Sequence, residues 1–440
     1  MYCLFSPTNE SFIMKRLIPT FILTLILCYS GRLFAQIQQS EVERIIGVLA
    51  ADDMMGRQAF TPYADKAADF IAGEFKRIGL KKWNKMKSYL QTFPVYQFSV
   101  SELSVSAGDK ALSDAFASTS EKEIEWTQDS GIKNLIIGEG DNFREMFNEY
   151  RRSEESAVVW IHSAHKPFFS RYASFAARAG RTIGPIKPKT IVFVISDEVP
   201  AAYRIRMSAK VDTQNLSNVV GYIKGKRKHE FVLFSGHYDH IGILKPVNRD
   251  SIANGANDDA SGTTGVITLA EYFKKQGKPE RSILFVAFTA EESGGYGSRY
   301  FSNQLNPDEI VAMFNLEMIG KPATDGPNSA WITGFDKSDF GQILQRAVAG
   351  TQYKFYADPY PSQNLFYRSD NATLARLGVP AHSISTTPID VDKDYHQVSD
   401  EISTLDMAHL TNTIKAVAAA AATIISGKET PTRVDPSDVD

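Results

Sequence analysis

From residue 218 onward the chain alternates two kinds of segment, and this alternation narrows the possible folds more than any other feature. Residues 218–223, 231–235, 282–288 and 311–316 are short apolar runs enriched in β-branched and aromatic side chains. Such runs suit strands buried on both faces. Residues 261–275, 297–303, 340–348, 371–377 and 404–425 carry helical spacing instead. Strands interleaved with helices predict an α/β fold, a mainly parallel mixed sheet with helices on both faces.

Two further helices are expected upstream, at 39–49 and 64–78, the second with Ala67, Ala68, Phe70, Ile71 and Phe75 on one face and Gly79 at its end. Between them, 52–63 reads as a polar loop. The pattern weakens over 100–211. Strand-like pieces at 102–107, 157–161 and 190–195 flank a charged helical stretch at 142–153, and scattered Arg, Ser and Gly dilute any period over 170–184. This region is expected to be an inserted β-rich or α+β lid domain. The boundaries that follow are a leader at 1–35, an N-terminal part of the main domain at 36–99, the insert at 100–215, the main domain at 216–427 and a disordered tail at 428–440.

The leader is read from Met14-Lys15-Arg16, a mostly apolar stretch over 17–27, and Leu33-Phe34-Ala35 before Gln36. That is the order of an export signal. The apolar stretch falls short of the about 20 residues that span a bilayer, so no stable membrane span is expected after cleavage, and the mature chain is expected to be periplasmic or extracellular. Both cysteines, Cys3 and Cys28, fall inside the leader. Thiolate nucleophiles, Cys-type zinc sites and disulfides are thereby excluded from the mature chain. Lys and Arg number 48 against 51 Asp and Glu, a net charge of −3, which argues against nucleic acid as a partner. No signal for oligomeric state is visible.

In an open α/β sheet, ligands bind beyond the carboxyl ends of the strands. Here those ends carry His237-Tyr238-Asp239-His240, then Asp258-Asp259 before a helix, then Glu291-Glu292, Glu317, and Asp394-Tyr395-His396. Singly, each block has a plainer reading. A histidine after a strand is usually exposed, an Asp pair caps a helix, and a Glu pair makes a solvated turn. Together they deliver two imidazoles and several carboxylates to one rim, a donor set suited to a pair of zinc-like ions sharing one carboxylate.

This ordered set resembles the M28 family of metallopeptidases, with their zinc aminopeptidase fold, over about 218–425 and more loosely over 45–91, where Gly56-Arg57 and 75–80 look like the family's leader segment. The stretch 100–211 lies outside the resemblance. The resemblance implies that His237 binds one ion and that Asp239 orients its imidazole. Asp258 would bridge both ions, with a cis peptide to Asp259. Glu291 would be the general base and later the general acid, activating a water shared by the ions. Glu292 and His396 would hold the second ion, and Glu317 the first, where the family more often has Asp. It further implies an aminopeptidase using two Zn2+ ions, other divalent metals being compatible, on peptide or protein substrates. Rival readings on the same fold are a glutaminyl-cyclase-like acyltransferase, a carboxypeptidase and a non-catalytic binding protein. His240 is expected at the surface of the rim, His382 in the core, and His162, His165, His229 and His409 without a role. Ser369-Asp370-Asn371 and 353–367 either shape a pocket or pack.

Overall fold

The computed structural model describes residues 1–2, 36–178 and 180–438. From Cys3 onward the expected leader, with both cysteines, lies outside the described residues. Among the described residues no helix is long and apolar enough to cross a membrane.

In chain order the main elements are α1 (Gln39–Leu49), α2 (Pro62–Ile78), β1 (Leu90–Ala107), β2 (Tyr203–Ile223), β3 (Arg227–His237), α3 (Gly262–Lys275), β4 (Arg281–Phe288), β5 (Ile310–Leu316), β6 (Ser329–Ile332), β7 (Lys354–Ala357), β8 (Ala381–Ser385) and α4 (Met407–Ile425). They build one twelve-stranded mixed sheet whose central order is β7-β6-β8-β5-β3-β4-β2-β1. The strands β4, β3, β5 and β8 are mutually parallel, while β2 runs antiparallel to β4 and to β1. Of the four parallel strands, β3, β4 and β5 are largely apolar on both faces, and β8 is buried throughout although His382, Ser383 and Ser385 are polar. In β3, Val232 and Phe234 point to the layer formed by α1 to α4. Phe231 and Leu233 point to the opposite layer with Phe301, Leu374 and Ala375. Register places Phe234 between Phe285 and Phe314, with ring centroids 5.6 and 5.0 Å away.

The expected insert forms a second sheet. Strands Lys133–Ile137, Ala157–Ile161 and Thr190–Ile195 are parallel, and Ala115–Thr119 pairs antiparallel with the last of them. Helices Phe143–Arg152 and Lys166–Arg178 accompany them, and Phe116, Phe143, Phe147 and Phe193 make a core of their own. This layer extends from the main sheet along the antiparallel ribbon of β1 and β2, which pairs from Leu90 with Val219 to Ala107 with Tyr203. The helix Lys166–Arg178 was not expected, because its Ser and Arg residues blur the 3.6 period.

The expectation of a disordered tail is overturned as far as residue 438. Arg281 is 3% exposed and needs acceptors, which the end of α4 and the tail supply together. Its Nη1 donates to the carbonyl oxygens of Ile424 at 2.8 Å and Glu429 at 2.7 Å, and its Nη2 to Thr430 Oγ1 at 2.6 Å. Val434 is buried beyond that anchor. A polar segment is ordered here because a buried arginine cannot be left without partners.

His382 in β8 is a core residue, as expected. Its ring stacks on Phe340 at 4.8 Å, lies 2.7 Å from Ser338 Oγ and is 2.8 Å from the Thr333 carbonyl. Burial pushes its pKa down to about 4. The unfolded chain binds a proton there below about pH 6.5 while the folded chain does not, so stability falls from pH 6.5 toward pH 4, by up to about 3 kcal/mol. Replacing His382 by Gln should flatten that part of the curve of thermal midpoint against pH. A curve that stays parallel to wild type would show that His382 does not contribute.

A candidate metal centre at the carboxyl ends of the strands

The parallel strands β3, β4, β5 and β8 end on one edge of the sheet, and the sequence leaves that edge through polar turns. The last residue of β3 is His237, 1% exposed. Its Nδ1 donates to the main-chain carbonyl of Asp239 at 3.0 Å. Its Nε2 lies 3.2 Å from Asp258 Oδ1 and 3.4 Å from Glu317 Oε1. Burial opposes a proton on this ring, but Glu317 and Asp258 outweigh it and raise the pKa.

Asp239 was expected to orient the His237 imidazole, and it is the main chain of Asp239, not its carboxylate, that meets the ring. Its Oδ1 is 3.9 Å from Nδ1, and the carbonyl oxygen makes the contact instead. The carboxylate accepts the N–H of Glu291 at 3.1 Å, tying the turn after β4 to the turn after β3. Burial pushes Asp239 up to about 7.

Asp258 and Asp259 precede α3 and are joined by a cis peptide. They divide their work. Asp259 is a staple. Its Oδ2 accepts the N–H of His237 at 3.1 Å, and its Oδ1 accepts those of Gly262 at 3.0 Å and Met318 at 3.1 Å. Asp258 faces the rim. Its Oδ1 points to His237, and its Oδ2 lies 3.3 Å from His396 Nε2. Burial works against its charge, yet hydrogen bonds with His237 and His396 hold its pKa well below the usual carboxylate range. The carboxylate of Asp400 fixes this turn by accepting the N–H groups of Asn257 at 2.8 Å and Asp258 at 3.0 Å.

Glu292 Oε1 lies 3.1 Å from His396 Nε2. Glu291 lines the same cavity but belongs to neither donor group, and burial pushes its pKa well up. Glu317, one methylene longer than the family's more frequent Asp, is braced. Its Oε2 accepts Ser369 Oγ at 2.6 Å, and Ser369 in turn accepts Asn315 Nδ2 at 2.8 Å. Ser369 thus has a place in the site that the sequence left undecided.

His240 requires a correction. It is not at the surface but 1% exposed, with Nδ1 3.0 Å from Glu292 Oε1 and 3.9 Å from Asp258 Oδ2. Its burial comes from a segment distant in sequence, since Gln58 pairs with it as an isolated bridge. The adjoining Arg57 is fully buried and donates to the carbonyl oxygens of Tyr238 at 2.7 Å, Leu49 at 2.6 Å and Gly255 at 2.9 Å. Burial lowers its pKa to about 10, so it stays a cation beneath the carboxylates. Arg57→Lys should lower stability by about 3 kcal/mol, because a single ammonium on a shorter arm cannot reach carbonyls that the guanidinium serves from three separate nitrogens. An unchanged urea midpoint would show the clamp to be dispensable.

Two groups therefore share Asp258: His237, Asp258 and Glu317 on one side, His240, Asp258 and Glu292 on the other, each within 4.8 Å of mutual approach. His396 joins the second through the contacts given above. Donors about 2.0–2.2 Å from a tetrahedral zinc sit about 3.3–3.6 Å from one another. The separations of 3.2 and 3.4 Å in the first group, and 3.1 and 3.3 Å to His396 in the second, lie inside that spacing or within 0.2 Å of it. The nitrogen and oxygen donors, without thiolate, also suit zinc. Beside them opens a cavity of about 310 Å3 walled by Met318, Trp331, Leu365, Ile389 and Tyr395.

The family model described as Peptidase family M28 matches residues 218–421. A "probable zinc metalloprotease" of Leptosphaeria maculans is 33% identical over 153 residues, which is 34% of this chain and 34% of that protein. Leucine aminopeptidase 2 of Trichophyton rubrum is 28% identical over 234 residues, 47% of this chain and 44% of that protein. The matches to the first curated relatives thus span about a third of their length. In fold, the chain is similar to BSAP, a zinc aminopeptidase from Bacillus subtilis, at 18% identity, covering 92% of this chain and 98% of that one with a TM-score of 0.54. All six donors at the rim, from His237 to His396, lie inside the segment that matches peptidase family M28.

Proposed function

We propose that this chain is an exported dinuclear zinc aminopeptidase that hydrolyses peptide bonds. The observation that carries the reading is the sharing of Asp258 by two donor groups, with a further carboxylate, Glu291, beside them and outside both. His237, Asp258 and Glu317 would hold one ion; Asp258, Glu292 and His396 would hold the other. When bound, zinc supplies Lewis acidity, lowering the pKa of a water and polarising the scissile carbonyl.

The chain's own residues do the rest. Glu291 takes a proton from the attacking water on its carboxylate and returns it to the departing amine. The acidic floor of the cavity, with Asp258, Glu292 and Glu317, favours a protonated N-terminus over a free carboxylate. The apolar wall of Trp331, Leu365 and Ile389 receives a side chain. The inserted layer over 100–215 acts as a lid in this reading. In support, Ile183 of this layer packs with Phe93 and Val95 at the start of β1 in one cluster with Ala290 and Tyr296, near the Glu291 turn.

The test is a panel of substrates on purified mature protein, with metal analysis. Aminoacyl p-nitroanilides should be cleaved, their N-acetylated forms should not, and a chelator should abolish turnover until zinc is restored. Cleavage of N-blocked peptides from the carboxyl end would replace the reading with a carboxypeptidase. Cyclisation of N-terminal Gln would replace it with an acyltransferase. Full turnover after chelation would overturn it altogether.

A further inference from the structure

The five expected ion-binding residues leave one buried imidazole at the rim unexplained. His240 follows β3 by three residues and is enclosed, its side chain 0% exposed. A polar ring is held in such a place only by partners. His237 has one behind it, the Asp239 carbonyl on Nδ1. His240 has none behind it, for Nε2 meets no hydrogen-bond partner in the protein. Its polar contacts all run through Nδ1, toward Glu292 Oε1 at 3.0 Å and Asp258 Oδ2 at 3.9 Å. These are the two oxygens that His396 Nε2 approaches, at 3.1 and 3.3 Å. The two rings are edge to face, 66° apart in plane with centroids at 5.8 Å, so they approach the carboxylates from different directions.

We propose that His240 is a fourth ligand, through Nδ1, to the ion held by Asp258, Glu292 and His396. The proposal rests on the two-ion reading given above and adds to it an asymmetry. One site then has two imidazoles and two carboxylates and is closed by protein, the state typical of tightly held zinc. The other, with His237, Asp258 and Glu317, has three protein ligands and keeps a position open, the state typical of reactive zinc.

A count of imidazoles by X-ray absorption on the zinc-loaded full-length protein decides the matter. With His240 bound, saturation at two zinc ions gives three imidazoles over two ions, and the first equivalent added to the metal-free protein shows two. Without it, each ion carries one at every loading. His240→Ala should bring the saturated count to two and weaken one of the two zinc sites by at least tenfold in a competition titration, leaving the other unchanged. Two ions with one imidazole each in the wild-type protein would overturn this assignment alone. Failure to take up zinc at all would overturn the two-ion reading with it.

Discussion

Replacing Glu291 by Gln is expected to cut turnover by a factor of about 100 to 10,000 while leaving zinc content at the wild-type level. The amide has the shape of the carboxylate but cannot accept a proton. The Glu291 N–H that bonds to Asp239 is main chain, so the substitution does not touch it, and the turn should keep its position. Glu291 lies outside both donor groups, so no ion loses a ligand. KM should change little, because the lost interaction belongs to the transition state rather than to binding. Glu291→Asp should fall between the two, with the base drawn back by one methylene. Steady-state kinetics beside metal analysis separates the outcomes. Undiminished turnover removes Glu291 from the chemistry, and a parallel loss of zinc makes it a ligand instead.

Asp258→Asn is expected to be as damaging by another route. Asp258 is the only side chain that the two donor groups share, with Oδ1 turned to His237 and Oδ2 to His396. Asn keeps one acceptor oxygen but loses the charge, so both sites weaken together and turnover should drop at least a hundredfold. The second readout is thermal. A ligand that binds only the folded chain stabilises it by RT ln(1 + [L]/Kd), about 4 kcal/mol at a thousandfold excess over Kd. Wild-type protein should therefore melt higher with added zinc, and Asp258→Asn should lose most of that rise. An unchanged zinc-dependent shift would show that Asp258 is not shared. A variant unstable even without zinc would instead point to loss of support for the Asp400 turn.

How much of this was readable from the amino acids follows from what each part depends on. The parallel strands were legible because burial on both faces leaves uninterrupted apolar runs, as over 231–235 and 282–288. The rim was legible for the same reason, since polar residues directly after such runs must lie at a strand end. His240 was not, because a histidine three residues past the strand end is enclosed in part by Gln58, a contact spanning most of two hundred positions. β6 and β7 have only four residues each, too few for alternation to register. The packed tail was hidden for a different reason. Its order depends on the acceptor needs of Arg281 rather than on any pattern of its own. Ser369 illustrates a last limit: nothing adjacent to it announces a partner 52 positions away.

The clamp made by Arg57 bears on anyone who would borrow this chemistry. The stretch 218–421 looks modular, because all six rim side chains sit in it. Yet the carbonyls of Tyr238 and Gly255, on either side of His240, are satisfied from position 57. A fragment excised at 218 would leave both without a donor where water does not reach, and the two loops would be free to part. Grafting the activity onto another scaffold, or trimming this one, must therefore carry along the short N-terminal strap as well, two pieces of chain that only together make a working unit.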